Sequence, residues 1–192
     1  MPTRFERAER NRDAILDAAA YFFEQRGYAG TYIQEFLDRA GATKGAMYHY
    51  WPTKLDVANE LLSRGTQEWQ ELLNAVPEGI RGVDAIYGMW RALAVALHGS
   101  VRLRAFLRIR NEVDAAGLPP LDRLRDEVVV RLQQAIVDGD VSERINTARA
   151  SAALIDAVYG VLVSPGSWNR DAELESRLDQ VWSMLLPGLR AL

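Results

Sequence analysis

The stretch TYIQEFLDRAGATKGAMYHYWPTK, residues 31–54, decides the fold of this chain. It predicts two short helices joined by a turn at Gly41, where glycine adopts a left-handed or tight backbone at little cost. The second of these helices, KGAMYHY, has about two turns and is too short and too polar to be core. Short second helices of this kind enter the DNA major groove in helix-turn-helix proteins. The stretch therefore predicts DNA binding.

A threonine precedes each of the three helices predicted in this stretch. Thr31 has Gln34 three residues later, and Thr53 has Asp56, which is the spacing of capping boxes. Thr43 opens the middle helix. Because the first N–H groups of a helix form a positive end, we expect a DNA phosphate beside Thr31 and Thr43, with plain capping as the alternative.

Composition limits the classes of function. With 192 residues, 48% of them hydrophobic, the chain has enough apolar side chains for one domain or two small ones. It has no cysteine, which excludes disulfides, thiolate catalysis and Cys-bearing zinc sites and suits a reducing cytosol. No window of about 18 uncharged apolar residues is present, so we expect no membrane partner and a cytoplasmic, nucleoid-associated protein.

The net charge of −3 divides unevenly along the chain. Residues 1–55 hold 8 Lys or Arg against 7 Asp or Glu, whereas residues 56–192 hold 15 against 19. The two lysines of the chain, Lys44 and Lys54, lie at the starts of the middle helix and of the helix after it. Phosphate binding needs only a local basic surface, so an acidic remainder does not argue against DNA binding.

Apolar residues recur with helical spacing along the whole chain, and no stretch alternates as a half-buried strand does. We expect a first helix that begins between residues 3 and 11 and ends at residue 26, closed by Gly27. Later helices are expected at residues 54–76, 83–97, 101–110, 121–137, 142–163 and 171–186, with breaks at 77–79, 117–120 and 165–166 and a helix end at Gly139. With the two short helices these make nine, an all-α fold with a three-helix head and a six-helix body.

Three head helices followed by a long connecting helix resemble the TetR family of bacterial transcriptional repressors. The matching residues are RxxILDAAxxxFxxxGY (12–28), GT (30–31) and AGxxKGAxYxYxPxK (40–54). Two positions depart from the commonest pattern, because Phe is usual where Trp51 stands and an acidic residue is frequent where Leu55 stands. The resemblance implies a helix-turn-helix DNA-binding domain over residues 1–52 and a ligand-binding and dimerisation domain over residues 53–192, in a homodimer.

Part of the body is similar to one branch of that family. The segment VRLRAFLRIRNE (101–112), followed by PP (119–120) and AIVDGDV (135–141), resembles the γ-butyrolactone receptors, which sense small signalling lactones or furans. The tryptophan that this branch often carries early in its seventh helix is missing, and residues 121–124 read LDRL instead. The resemblance implies a lactone-like or furan-like effector.

Candidate DNA contacts lie at the start and on the outer face of the middle helix. Lys44 can reach a guanine edge or a phosphate, and Gly45 lets the backbone approach base edges, unless it is a helix-start glycine without function. Tyrosine hydroxyls suit phosphates, and Lys54 is expected to clamp one. The predicted DNA-binding residues are Thr31, Thr43, Lys44, Gly45, Tyr48, His49, Tyr50 and Lys54.

Other residues of this segment have different expected positions. Met47 lies off the face that Lys44 and Tyr48 share, so we expect it in the core of the head. Trp51 is expected to pack between the head and the fourth helix. His49 fits the surface and the groove equally well.

Aromatic residues are spread through the body at helical spacing, which is typical of a core but also of ligand cavities in helical bundles. The predicted lining of such a cavity is Trp90, Phe106, Arg110 and Tyr159. Further polar groups are expected from His98, Asn111 and Glu112. Trp168 belongs to the same set of aromatic residues.

The last two helices carry a predicted dimer surface. Small residues share one face of the eighth helix, where they let helix backbones approach closely, and apolar residues form a stripe on the ninth. The predicted surface consists of Ala153, Ala157, Gly160, Leu178, Val181 and Leu185. Packing within one body is the alternative; two such helices from each subunit would form a four-helix interface.

These observations favour a homodimeric repressor that binds a pseudo-palindromic double-stranded DNA operator and releases it when a small molecule enters the body. An alternative keeps DNA binding but has a solid body and no effector. An all-helical enzyme is disfavoured, because the two histidines are far apart in sequence and no Ser/His/Asp or HExxH arrangement is present. We therefore expect no catalytic residue, no metal and no cofactor.

Overall fold

Nine helices and no named strand make up the part of the chain that the computed structural model describes, residues 3–74, 80–113, 122–164 and 171–190. The helices are α1 (Arg4–Arg26), α2 (Ile33–Ala40), α3 (Lys44–Tyr50), α4 (Lys54–Asn74), α5 (Gly82–Gly99), α6 (Val101–Ile109), α7 (Asp122–Val137), α8 (Thr147–Val163) and α9 (Asp171–Leu189). The predicted all-α fold is confirmed. The predicted breaks at 77–79, 117–120 and 165–166, with Leu121 and Trp168, lie outside the described residues.

Local caps set several helix ends. Thr3 and Glu6 form a reciprocal capping box at the start of α1, with N–H to oxygen distances of 2.7 and 3.2 Å. Gly27, at φ 73°, ends that helix in a backbone conformation that favours glycine. Thr53 and Asp56 form the predicted box before α4, at 2.9 and 3.2 Å. These short-range interactions make the helix boundaries readable from sequence.

The predicted capping box of Thr31 with Gln34 is wrong. The residue before α2 is Tyr32, whose N–H donates to the Glu35 carboxylate at 3.3 Å. Thr31 is fully buried, and its hydroxyl donates to the carbonyl of Gly27 at 2.8 Å. The Thr31 hydroxyl therefore pairs with a backbone carbonyl group just after α1 rather than with an N–H group at the start of α2.

Helix α8 begins later than the predicted start at residue 142. Asn146 caps it, because its side-chain oxygen accepts the N–H of Arg149 at 3.0 Å. The segment before it is held elsewhere, since the N–H of Ser142 donates to the carbonyl of Leu189 at 3.0 Å. Polar residues before Thr147 thus make turn and bridge contacts instead of a further helical turn.

The chain divides into two compact units. The first unit comprises Met1–Glu68 and Gly99–Leu118, and the second comprises Trp69–His98 and Pro119–Leu192. Helix α6 therefore belongs to the same unit as the helix-turn-helix. The predicted boundary between residues 52 and 53 separates a DNA-binding from a ligand-binding domain, which is a division by function, and it stays a prediction.

Ion pairs fix the faces on which α1 and α6 meet in the first unit. Arg102 Nε lies 2.6 Å from the Asp17 carboxylate, and Arg104 Nε lies 2.7 Å from the Glu24 carboxylate. The side chains of the second pair are 14% and 17% exposed, so this pair is mostly shielded from water. Loss of one partner would leave the other charge poorly solvated.

Helices α4 and α6 approach closely at Gly65. A Cβ atom added to Gly65 would lie 2.5 Å from Cγ of Phe106, far inside normal carbon–carbon contact. Phe106 itself is buried. Because a neighbouring ring occupies the space of a side chain, only glycine fits at this position without displacement of α6.

Apolar side chains from α5, α7, α8 and α9 fill the second unit. Trp90 and Leu93 on α5, and Val128 and Leu132 on α7, are all buried. Trp90 meets Trp182 edge-on, with ring centroids 4.9 Å apart. Among the described helices, none has both the length and the apolar character that crossing a bilayer requires.

The close approach at Gly65 predicts a stability difference between two glycine substitutions. Gly65→Ala is expected to lower the free energy of unfolding by about 1–3 kcal/mol, because the added methyl group overpacks against Phe106. Gly88→Ala is the matched control in α5, where an added Cβ would meet no atom within 4 Å beyond its chain neighbours and the backbone of its own helix, and it is expected to stabilise by up to about 1 kcal/mol. Urea denaturation measures both. A stabilising Gly65→Ala would contradict the packing of Phe106 on α4.

Candidate nucleic-acid interface

Helix α3 has one buried face and one open face. Met47 is fully buried, as predicted, and is the buried residue of this helix. Lys44, Gly45, Tyr48 and His49 are exposed. The helix is therefore pinned to the head along one side and presents a basic and aromatic surface on the other.

The turn before α3 sets the direction of that surface. Gly41 is left-handed, at φ 62°, and its N–H donates to the carbonyl of Asp38 at 3.2 Å. The N–H of Ala42 donates to the carbonyl of Leu37 at 3.0 Å, which closes the end of α2. The Thr43 hydroxyl then accepts the N–H of Ala46 at 3.2 Å, so its predicted capping role is confirmed.

Charge at the start of α3 favours an anionic partner. The first turn holds Lys44 and no acidic residue. A helix start carries partial positive charge, and a lysine there adds to it. The exposed surface therefore suits a phosphate backbone in its electrostatics.

Within the described residues, no group of three histidine, cysteine, aspartate or glutamate side chains is placed to hold a metal ion.

Tyr48 and Tyr50 have different surroundings. Tyr48 is 49% exposed. Tyr50 is half-buried, and its hydroxyl donates to the carbonyl of Ala8 on α1 at 3.1 Å. Tyr50 thus binds α3 to α1 through the hydroxyl that the sequence assigned to a phosphate, and its DNA contact stays a prediction. Trp51 is buried as expected, with the Arg12 guanidinium 5.7 Å from its ring centroid.

Two further residues predicted to contact DNA make contacts within the head. Thr31 is buried, so its hydroxyl is not on the surface that faces a partner. Lys54 Nζ donates to the carbonyls of Tyr28 and Thr31 at 2.8 and 2.9 Å and lies 4.2 Å from the centroid of the Tyr28 ring. Partial burial lowers the pKa of Lys54 below its ordinary value. Its role as a phosphate contact stays a prediction.

Glu112 holds the same turn from another side. Its carboxylate accepts the N–H of Tyr28 at 2.8 Å, and a Cβ added to Gly27 would lie 2.3 Å from Glu112 Oε1. The sequence predicted that Glu112 is one of the polar groups of a ligand cavity. That prediction is wrong, because the Glu112 carboxylate binds the backbone N–H of Tyr28 instead. The turn between α1 and α2 is therefore fixed by a lysine from α4 and a glutamate just beyond α6.

One exposed aromatic residue was missed. Tyr32 precedes α2 and is 67% exposed, more than Tyr48. Its place next to Thr31 in the motif was a usable signal, because a large side chain stands where a small hydroxyl cap is usual. Tyr32 therefore adds an exposed aromatic side chain at the start of α2.

The residues predicted to line a ligand cavity separate into two groups. Trp90 and Tyr159 line an apolar cavity of about 10 Å³ in the second unit. Phe106 packs on Gly65 in the first unit, and Arg110 ends α6 in that same unit. Neither Phe106 nor Arg110 is among the side chains that line this cavity. The sequence pattern gave helical spacing but not which helices pack together.

The predicted dimer surface is largely open in the protomer. Ala153 and Gly160 on α8 are exposed, and Ala157 is half-buried. On α9, Val181 and Leu185 are half-buried, whereas Leu178 is 1% exposed and packs in the core of its own unit. The assignment of Leu178 to an outer surface is therefore wrong. Met184, which is 79% exposed, is an apolar residue of α9 that was missed.

Comparison of the sequence with known proteins finds a matching family model and several similar proteins. Residues 15–61 match the family model of bacterial regulatory proteins of the tetR family. The chain is 28% identical over 191 residues to the A-factor receptor protein of Streptomyces griseus, an alignment that covers 95% of this chain and 65% of that protein's length. It is 26% identical over 162 residues to the transcriptional regulator UidR of Escherichia coli, covering 81% of each.

Solved structures share the fold over nearly the whole chain. A crystal structure of a γ-butyrolactone receptor, an ArpA-like protein, has a TM-score of 0.80 and 28% identity, covering 97% of this chain and 91% of that one. CprB from Streptomyces coelicolor in complex with its operator sequence has a TM-score of 0.82 and 28% identity, with the same coverage.

The open face of α3, the helix-turn-helix that holds it and the all-helical body define a DNA-binding transcription regulator. The matched family model and the regulators of similar sequence and fold identify the group more narrowly. Residues 15–61 carry the DNA-binding part of a TetR family regulator.

Because Tyr48 is exposed and Tyr50 is half-buried, removal of their hydroxyl groups is expected to affect different properties. Tyr50→Phe is expected to lower the free energy of unfolding by about 0.5–1.5 kcal/mol, because the hydrogen bond to Ala8 is lost. Tyr48→Phe is expected to leave stability within about 0.5 kcal/mol and to weaken operator binding. Denaturation and fluorescence anisotropy with operator DNA measure the two effects. The same effect from both variants would contradict the orientation of α3.

Proposed function

We propose that the chain is a dimeric transcriptional repressor that binds a pseudo-palindromic operator through α3 and releases it when a small molecule enters the second unit. The observation that carries this proposal is the division of α3 into a buried Met47 and an open face of Lys44, Gly45, Tyr48 and His49. A short helix held in this way can enter a major groove without unfolding.

Different residues of the open face are suited to different parts of the DNA. Lys44 can donate to a guanine O6 and N7 or to a phosphate. Gly45 lets the helix backbone approach the base edges, since beyond the backbone of its own helix and its chain neighbours an added Cβ would meet only the Thr43 hydroxyl, at 3.9 Å. Tyr48 and Tyr32 offer exposed hydroxyls to phosphates and rings to sugars or thymine methyl groups.

Dimerisation would supply the symmetry that a pseudo-palindromic site requires. The exposed Ala153 and Gly160 and the half-buried Ala157 of α8 allow close approach of a second backbone, and Met184 adds apolar area on α9. In a twofold dimer, the two copies of α3 must match half-sites about 34 Å apart, one turn of the double helix. An obligate helical interface of this kind typically buries about 2,000 Å² or more.

Effector release follows from differential binding. A ligand shifts a conformational equilibrium only by the difference between its binding free energies for the two conformations. A difference of roughly a few kcal/mol is enough to release the operator. Two of the similar proteins are an A-factor receptor protein and a γ-butyrolactone receptor. By analogy, a lactone-like effector is proposed for this chain.

A second candidate function is a DNA-binding protein without an effector. The small size of the body cavity favours it, because about 10 Å³ holds roughly one water molecule. Under this alternative the second unit is a solid dimerisation body. Retention of the operator in the presence of a neutral lactone that binds the protein would favour the alternative, and release would favour the repressor.

The proposed DNA contacts are tested by two lysine variants. Lys44→Ala is expected to weaken operator binding about 5- to 100-fold and to leave the thermal midpoint unchanged, since Lys44 is exposed. Lys54→Ala is expected to weaken binding to operator and random duplex alike, to reduce the salt slope by about one unit and to lower the thermal midpoint. Anisotropy titrations at several salt concentrations and circular dichroism measure these effects.

Two results would count against this assignment. Unchanged operator affinity of Lys44→Ala would remove α3 from the interface. A change in the preferred sequence on Lys54→Ala would show that Lys54 reads bases rather than phosphate.

A further inference from the structure

A polar cleft lies in the second unit, where the start of α5, the end of α7 and the end of α9 come together. It has a volume of about 270 Å³ and is lined by Val83, Asp84, Gly139, Asp140 and Arg190. None of these residues lines the apolar cavity of about 10 Å³ in the same unit. The polar cleft is therefore separate from the cavity that the proposed effector would enter.

Backbone geometry and close packing hold the walls of the polar cleft. Gly139 follows α7 with a left-handed backbone, at φ 80°, and Val141 then forms an isolated antiparallel bridge with Arg190. A Cβ added to Gly82 would lie 2.9 Å from Asp140 Oδ2, so the Asp140 carboxylate lies against the first residue of α5. The charged side chains of the cleft are therefore carried by backbone segments with fixed positions.

Three charged side chains around the polar cleft lack a partner. Asp84, Asp140 and Arg190 are exposed. No residue that the structure describes forms an ion pair or a hydrogen bond with any of these three side chains. Elsewhere in the same unit an exposed arginine is paired, because Arg91 lies 2.6 Å from the Glu175 carboxylate. Each of the three charges is therefore available to a ligand from solution.

The arrangement of charges restricts the class of ligand. A simple anion would meet two carboxylates of like charge, and a diamine would leave the Arg190 guanidinium without a partner. Single exposed ion pairs contribute little, so a ligand that pairs with all three charges is favoured. Pockets for drug-sized molecules measure roughly 300–1,000 Å³, so this cleft suits a smaller molecule. Lysine and arginine are small, and each carries two cationic groups and one carboxylate.

We propose that the polar cleft binds a free basic α-amino acid, with its two cationic groups on Asp84 and Asp140 and its carboxylate on Arg190. This site goes beyond the proposed function, because it is a second small-molecule site outside the effector cavity. A ligand bound there links the start of α5 to the loop after α7 and to the end of α9. Because it binds the folded chain only, it raises the thermal midpoint as its concentration rises.

Four related probes test which charges the site requires. L-lysine carries all three, L-norleucine lacks the side-chain ammonium group, cadaverine lacks the carboxylate, and 6-aminohexanoate lacks the α-ammonium group. Calorimetry with the full-length, ligand-free protein measures the affinity of each probe, and thermal unfolding is followed in parallel. Ionic strength is held constant with sodium chloride, because added ligand would otherwise screen exposed charges.

L-lysine is expected to bind the wild-type protein, and each of the other probes is expected to bind about 2- to 5-fold more weakly. Asp84→Asn and Asp140→Asn are expected to weaken lysine binding by a similar factor. Arg190→Gln is expected to weaken binding of lysine but not of cadaverine, which has no carboxylate for Arg190 to bind. The matched control is Asp126→Asn, an exposed aspartate of α7 outside the cleft, which is expected to leave every affinity unchanged.

Four results would overturn the proposal: binding of neither lysine nor arginine at millimolar concentration, binding of any of the other three probes as tightly as lysine, an equal loss of lysine and cadaverine binding in Arg190→Gln, or unchanged lysine binding in all three cleft variants. The wild-type probe series decides the first two even where a variant unfolds. Operator binding by the ligand-free protein tests the proposed function separately.

Discussion

Burial of Met47 is the interaction on which the DNA-facing surface depends. Helix α3 has 7 residues, and a helix this short is not stable alone in water, so its conformation comes from tertiary contact. Met47 supplies the contact within the helix, Trp51 follows it into the interior, and the hydroxyl of Tyr50 binds α1. With one face held in this way, Lys44, Tyr48 and His49 share the opposite side at fixed positions.

The turn between α1 and α2 is the second constraint. Its carbonyl groups accept hydrogen bonds from Lys54, and its N–H at Tyr28 donates to Glu112. These side chains come from the start of α4 and from just beyond α6, so parts of the chain far apart in sequence meet at one turn. The position of the helix-turn-helix is therefore set by charged side chains from outside it, as well as by its own core.

Several local caps were predictable from the sequence, whereas the packing of distant helices was not. The boundaries at Thr43, Thr53 and Gly41 were correct because caps and left-handed glycines act over a few residues. Thr31 and Leu178 were misplaced because their patterns, a hydroxyl before a helix and an apolar stripe, are compatible with either a buried or an exposed side chain. Phe106 was assigned to the wrong unit because helical spacing does not reveal that α6 packs on α4 at Gly65.

The most direct test of the outward face of α3 is thiol protection, which is clean because the chain has no cysteine. His49→Cys places a thiol on that face, and Val137→Cys places one at a position that is 79% exposed in the body. Maleimide labelling is followed with and without duplex DNA at low salt, where binding is tight. Bound DNA is expected to slow labelling at residue 49 and to leave residue 137 unchanged. Equal rates at residue 49 in free and DNA-bound protein would contradict the placement of α3 in the DNA interface.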